Sequence, residues 1–189
     1  MENIFFTTGP TQLFDTVRYH IDNAIKYYVC SISHRGKEFE DIFYNCTNAL
    51  KRLLRMPNEY NIFFTSSSTE TMELVIQNCV ANHSFHFVNG AFSGRFFETA
   101  KELRKEPEKT EVPWGYGFDF GNVRIPNETE MICLTQNETS TGVAIELNDI
   151  YKLKEENPDR LIAIDAVSST PYIDINQQWA KSPHVAWGI

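Results

Sequence analysis

The sequence predicts an α/β fold with a mainly parallel sheet covered by helices on both faces. Three observations support this: short apolar runs alternate with segments of helical periodicity, polar residues follow the runs, and the composition is that of a globular protein, 42% hydrophobic and 22% charged. A chain of 189 residues is long enough to bury the core of one domain. The predicted strands are residues 62–64, 85–88, 131–134, 161–164 and 184–189.

Helical segments are predicted before and between these runs. From Gly36, apolar residues recur at three- and four-residue spacing until Met56-Pro57, where proline ends the helix. Further helices are predicted after the turn at 65–69, over 93–105 and over 149–156. Two stretches are predicted to lack regular structure: an extended N-terminal arm with a turn at Gly9-Pro10, and the Gly- and Pro-containing span 107–126. The predicted organisation is an arm over residues 1–15 and one α/β domain over 16–189.

Composition narrows the class of protein. A net charge of −8 argues against nucleic acid and anionic membrane as partners, since both need basic patches. The cysteines include no CxxC pair, so we expect no metal site, and reduced core thiols instead. No apolar run approaches a membrane span, and the N-terminus has no signal-peptide pattern, so we expect a cytoplasmic protein.

The candidate site lies where the strands end. In open α/β sheets, ligands bind beyond the carboxyl ends of the strands. The segments that follow the predicted strands are polar or carry a ring that can be exposed: residues 65–70, 89–92, 135–139 and 165–169. The sequence therefore predicts a ligand site built from these segments.

One of these segments suits an anionic ligand group and another suits a cationic one. The turn from Thr65 to Glu70 precedes a helix, so free backbone amides and the helix dipole favour a phosphate; a plain capping turn is the alternative. Asp165 ends an apolar strand, where a carboxylate is costly to bury without a partner. A protonated ring nitrogen would be such a partner; helix capping or a bond to nearby hydroxyls is the alternative.

Three further features complete the candidate site. His34-Arg35 precedes the long helix, where a guanidinium fork can hold a carboxylate or phosphate, or form a surface salt bridge instead. Phe92 is placed to lie against a flat ligand, or else belongs to the core. Together with the segment Asn137-Glu138-Thr139, these residues describe a phosphate cradle, a stacking ring and a carboxylate.

Three motifs resemble successive signatures of the class V pyridoxal-phosphate-dependent aminotransferases, in particular the branch that acts on phosphoserine. They are Thr7-Thr8-Gly9-Pro10, Ser33-His34-Arg35-Gly36-Lys37-Glu38-Phe39 and Asn137-Glu138-Thr139-x-x-Gly142-Val143. The resemblance covers the whole chain. It implies the cofactor-binding large domain of fold type I, pyridoxal 5′-phosphate as cofactor, a homodimer, and transfer of an amino group between an amino acid, O-phospho-L-serine, and the 2-oxo acid 2-oxoglutarate, a step of serine biosynthesis.

The resemblance also implies a role for individual residues. Thr69 and Glu70, with Ser68 beside them, match the positions that hold the cofactor phosphate. Phe92 matches the ring that stacks on the pyridine, Thr139 the hydroxyl near the phenolic oxygen, and Asp165 the partner of the pyridine nitrogen. Substrate-binding positions are matched by Thr8 and Arg35 for the carboxylate and by His34 for a substrate phosphate.

Two departures from the family pattern keep alternatives open. Glu70 stands where one branch has an arginine that binds the substrate's phosphate, so a non-phosphorylated pair such as alanine or serine with glyoxylate is the alternative substrate. The Schiff-base lysine is expected just beyond the strand at 184–189, and Lys181 precedes that strand. We therefore expect the chain to be a truncated large domain that is inactive by itself; a non-catalytic cofactor-binding module is the rival interpretation.

Overall fold

The computed structural model describes residues 4–5, 12–173 and 185–188, the last segment by its backbone alone. The chain divides into two compact units, Met1–Leu50 and Lys51–Ile189. The division falls inside a long helix, and each unit is described by itself below.

The first unit is helical. It contains helix α1 (Asp15–Lys26), a single 3₁₀ turn (Val29–Ser31) and helix α2 (Lys37–Leu53), whose last residues belong to the second unit. Acidic residues lie in the first turn of α2 and basic residues in its last, which complements the helix dipole. The helix predicted from Gly36 is thus confirmed.

The second unit is an α/β sheet. Its elements are α3 (Ser68–Cys79), β1 (His83–Val88), α4 (Ala91–Glu102), β2 (Glu106–Glu111), β3 (Met131–Thr135), β4 (Asn137–Glu138), β5 (Val143–Ala144), α5 (Leu147–Glu156), β6 (Leu161–Asp165) and β7 (Val185–Gly188). Among the described residues, β2-β1-β3-β6-β7 form one sheet in that order, and every neighbouring pair is parallel. The predicted α/β class with a mainly parallel sheet is confirmed.

The two faces of this sheet have separate cores. Side chains alternate between the faces of a strand. Met131, Cys133 and Ala163 pack with residues of α3 and α4 on one face. On the other face, residues of α5 pack with Ile132, Leu134, Ile162 and Ile164. Strands β3 and β6 are therefore buried on both faces.

Two predictions of local structure are wrong. Residues 62–64 form no strand in the described part of the chain, and the Phe63 side chain is 85% exposed. Conversely, the span predicted to be irregular begins with β2, Glu106–Glu111, which pairs with β1 along its whole length. This strand is charged and contains Pro107, as an edge strand can, so no apolar alternation marked it.

The cysteines correct an expectation drawn from composition. All four thiols are free, but only Cys133 is buried, while Cys46 and Cys79 are exposed on their helices. The apolar spacing around those two residues was therefore not sufficient to predict burial of the thiols. Among the described residues, no helix is both long enough and apolar enough to cross a membrane.

Candidate active site

The strand order reverses at one point in the sheet. β2 lies on one side of β1, whereas β3, β6 and β7 lie on the other. Ligands of open α/β sheets bind at such a switch point, beyond the carboxyl ends of the strands. The segments that begin at Asn89, Gln136 and Ala166 follow β1, β3 and β6 at this edge.

The N-terminus of α3 lies at the same edge. The helix ends at Cys79 and β1 begins at His83, so α3 runs antiparallel to the strands. Ser67 caps α3: its Oγ accepts a hydrogen bond from Glu70 N at 3.1 Å. Within the part of the chain that the structure describes, the amides of Ser68 and Thr69 make no hydrogen bond. Two unpaired amides at a helix N-terminus suit a phosphate.

Glu70 differs from its neighbours in this turn. Its amide is already bonded to Ser67, and its carboxylate accepts hydrogen bonds from N and Oγ of Ser66, each 2.6 Å. These bonds hold the pKa of Glu70 below its ordinary value. Of the three residues predicted to hold a phosphate, Ser68 and Thr69 thus keep available amides, and Glu70 orders the turn.

Asp165 is a buried carboxylate with few partners. It ends β6 opposite Thr135 of β3, with a 9% exposed side chain, and accepts one hydrogen bond from Val167 N at 3.1 Å. Thr135 Oγ1 lowers the pKa of Asp165 only slightly, and it makes no hydrogen bond of normal geometry to a described residue. Burial, assisted by the charge of Glu138, raises the pKa of Asp165. A nearby cation would stabilise this carboxylate in its charged form.

Asp165 also points toward the helices that carry the other candidates. In β6, alternation places it on the same face as Ala163, which packs with α3 and α4. Thr135 and Cys133 are related in the same way in β3. The carboxylate therefore belongs to the face on which the N-termini of α3 and α4 lie.

Phe92 is an exposed ring at the start of α4. It is the second residue of the helix and is 47% exposed, whereas Phe96 one turn later is 4% exposed and lies in the core. The core interpretation of Phe92 is therefore wrong. Its stacking role stays a prediction, for which this position is suitable.

The loop after β3 contacts the loops after both neighbouring strands. Asn137 Nδ2 donates to Ser168 Oγ at 2.9 Å, and that hydroxyl donates back to Asn137 O at 2.8 Å, which joins the loop to the segment after β6. Glu138 reaches the opposite way, to the first turn of α4. Thr139 follows in an exposed turn. Because β3 lies between β1 and β6, one short motif connects three loops.

Glu138 is the residue whose role the sequence did not indicate. It is fully buried, and its carboxylate accepts hydrogen bonds from Ser93 N and Oγ, both at 2.8 Å, from Phe92 N at 3.3 Å and from Ser140 Oγ at 2.7 Å. Burial alone would raise the pKa of Glu138, but these bonds outweigh it and lower the pKa. The signal that could have indicated this role was a carboxylate three residues beyond an apolar strand.

The remaining candidates are in the first unit. His34 and Arg35 form an exposed turn before α2, where Arg35 N donates to Ser33 Oγ at 3.3 Å. Their roles in substrate binding stay predictions, and Thr8 lies outside the described residues. The second unit places six predicted residues at the carboxyl edge of its sheet: Ser68, Thr69, Glu70, Phe92, Thr139 and Asp165.

Comparison with known proteins agrees with this geometry. The family model described as aminotransferase class-V matches residues 4–88. A solved phosphoserine aminotransferase from Cytophaga hutchinsonii is 45% identical with a TM-score of 0.88, over 95% of this chain and 49% of that one. The resemblance to the class V aminotransferases is thereby confirmed, and the fold of this chain is similar to that of the matching part of the solved phosphoserine aminotransferase.

Two curated relatives are more distant. Phosphoserine aminotransferase 2 of Arabidopsis thaliana, a chloroplastic protein, is 28% identical over 88% of this chain and 41% of its own length. The small subunit of a soluble hydrogenase from a Synechococcus strain is 29% identical over 96% of this chain and 46% of its own. The chain thus spans less than half the length of each of these relatives.

Proposed function

We propose that this chain is the cofactor-binding part of a pyridoxal-phosphate-dependent aminotransferase, which moves an amino group between an amino acid and a 2-oxo acid. The observation that carries the proposal is Asp165. A buried carboxylate with a raised pKa, on the face shared with the N-termini of α3 and α4, is the partner that a protonated pyridine nitrogen requires.

The other residues of the edge fit the same cofactor. The unpaired amides of Ser68 and Thr69 suit its phosphate, and the exposed ring of Phe92 suits its flat face. Thr139 offers a hydroxyl in an exposed turn. Bound pyridoxal phosphate would supply an electron sink. Asp165 would keep the proton on the ring nitrogen, and the α3 amides would fix the orientation of the ring.

For the substrates, we propose O-phospho-L-serine and 2-oxoglutarate. The 45% identity to a solved phosphoserine aminotransferase supports this pair. Arg35 and Thr8 would bind the carboxylate and His34 the substrate phosphate. The proposal assigns no residue of this chain as the Schiff-base lysine.

One observation favours a second pair of substrates. The Glu70 carboxylate lies in the first turn of α3, bonded to Ser66, and its negative charge opposes a second phosphate nearby. A non-phosphorylated amino acid, alanine or serine with glyoxylate as acceptor, would meet no such repulsion. In either case we propose a cytoplasmic homodimer, as in the class V family, with a role in amino-acid biosynthesis.

Cofactor binding can be tested on the chain itself by calorimetry with pyridoxamine 5′-phosphate. This compound forms no Schiff base, so surface lysines do not interfere. Ser68→Pro removes an amide donor at the first helical position, which proline tolerates, and Ser67 before it is already extended. We expect weaker binding for Ser68→Pro than for Ser68→Ala, which keeps the amide. Equal affinities would contradict the phosphate site.

Turnover is tested with the protein expressed at the full length that its gene encodes. Glutamate formed from phosphoserine and 2-oxoglutarate would support the first pair, and glycine formed from glyoxylate with alanine or serine the second. Cofactor binding without any transamination would favour the non-catalytic module instead. Absence of saturable cofactor binding would overturn the proposed function altogether.

A further inference from the structure

We propose that Glu138 is a positioning residue of this site: it ties the loop after β3 to the first turn of α4 and so fixes the Phe92 ring and the Thr139 hydroxyl on either side of the switch point. The inference rests on the proposed function, since it concerns the same site. None of the motif roles described above includes Glu138.

The hydrogen bonds show which parts Glu138 connects. Phe92 N and Ser93 N, at the start of α4, both donate to its carboxylate, at 3.3 and 2.8 Å. These two amides belong to the turn that bears the Phe92 ring. Helix N-terminal amides have no partner within their own helix, so this carboxylate supplies what α4 otherwise lacks.

A second set of bonds closes the connection from the loop side. Ser140 Oγ donates to Glu138 at 2.7 Å, and the same hydroxyl accepts a hydrogen bond from Ala91 N at 2.9 Å. Thr139 lies between Glu138 and Ser140, so its backbone is held at both ends. A movement of Glu138 would therefore change the placement of both Phe92 and Thr139.

Burial explains why no other residue can easily substitute. Glu138 has no solvent-exposed surface, and within the described ranges its charge is compensated by hydrogen bonds rather than by an ion pair. A charged acceptor binds such donors about twice as strongly as a neutral one. Glutamine has almost the same shape but gives up one acceptor and introduces a donor opposite the donating amides.

The sheet offers a matched control at its opposite edge. Glu130, next to the start of β3, also accepts three backbone amides, from Ala81 at 2.5 Å, Asn82 at 2.7 Å and His83 at 2.9 Å. Its bonds join the amino-terminal ends of β1 and β3, away from the proposed site. Glu130→Gln therefore tests what the loss of a similar carboxylate does to folding alone.

The experiment compares Glu138→Gln with Glu130→Gln in the full chain. The dissociation constant of pyridoxamine 5′-phosphate is measured by calorimetry, and amide exchange at Phe92 and Ser93 by NMR. We expect affinity to fall by roughly tenfold or more in Glu138→Gln, as for a lost bond to a charged group, and exchange at these amides to accelerate. In Glu130→Gln, affinity should stay close to that of the wild type.

The outcomes separate this inference from the proposed function. If the wild type binds the ligand and both variants bind it equally well, Glu138 has no positioning role and the proposed function stands. If the wild type shows no saturable binding, both fall. Should Glu138→Gln fail to fold, Ser93→Ala keeps the carboxylate and removes the hydroxyl that donates to it and that accepts from Asn89 N and Gly90 N. A loss of affinity in Ser93→Ala then supports the inference, and wild-type affinity overturns it.

Discussion

Gly90 lies directly against Glu138: a β carbon added to Gly90 would stand 2.4 Å from Glu138 Cγ and 2.6 Å from Ser140 Oγ. The backbone of Gly90 is extended, so the requirement for glycine here is one of space and not of conformation. The buried carboxylate that joins two loops thus depends on the absence of a side chain at the residue that caps α4.

This contact predicts that Gly90→Ala destabilises the fold, by about 1–3 kcal/mol as for other overpacked sites. Gly94→Ala, one turn further along α4, is the matched control, because its β carbon would meet only Val88 Cγ1 at 4.0 Å. Alanine in a helix interior should stabilise by up to about 1 kcal/mol. Urea unfolding of both variants checks this, and equal stabilities would show that the space at Gly90 is not limiting.

Asp165→Asn is expected to stabilise the cofactor-free fold at neutral pH while it weakens cofactor binding. The pKa of Asp165 is higher in the folded state than in the unfolded state, so its ionisation opposes folding. Stability is therefore lost as the pH rises from the unfolded-state pKa, about 3.9, through the higher pKa of the folded state. Asparagine does not ionise but can still accept the bond from Val167 N. Urea unfolding from pH 3 to 8 should show the difference growing with pH. A variant less stable than wild type at pH 7 would contradict the prediction.

His86 should make the second unit sensitive to acid. Burial lowers the pKa of this imidazole to about 3, so the folded state keeps it neutral, with Nε2 paired to Ser84 Oγ at 2.9 Å. The unfolded chain takes up a proton near pH 6.5, and stability is therefore lost as the pH falls from there toward 3. At about 1.4 kcal/mol per pH unit, the free energy of unfolding should fall by roughly 2–3 kcal/mol between pH 6.5 and 4.5.

The measurement is the unfolding free energy against pH for His86→Phe. Its neighbours Phe96 and Phe97 contact the His86 ring edge to face, so an aromatic ring is a reasonable replacement. We expect the slope below pH 6.5 to flatten in this variant. An unchanged slope in His86→Phe would assign the acid sensitivity to other groups.

Arg35 is predicted to bind the substrate carboxylate in the protein at its full encoded length. Loss of a guanidinium fork should reduce kcat/KM by about 30- to 1,000-fold in Arg35→Ala. Arg35→Lys should not restore it, because an ammonium cannot form the planar fork. Equal losses with phosphoserine, serine and alanine would assign Arg35 to the common carboxylate, and a loss confined to phosphoserine would assign it to the phosphate. Unchanged rates would exclude both roles.

The sequence by itself determined the elements whose signals are local. Periodicity and cap residues act over a few neighbouring positions. They were therefore sufficient to predict the helix α2, the buried strands β1, β3 and β6, and the capping turn before α3. Asp165 could be predicted as a site residue for a related reason: a carboxylate at the end of an apolar strand is costly to bury, and this is visible from the sequence alone.

Only the tertiary structure decided the rest. β2 is a strand because β1 lies beside it, whereas the apolar residues 62–64 belong to none of the strands of the described sheet. The role of Glu138 depends on partners 45 and 46 positions away, Ser93 and Phe92, which no local pattern connects to it. Strand pairing and burial of a charge are set by which distant segments meet, so the order of the strands in the sheet had to be known before either could be assigned.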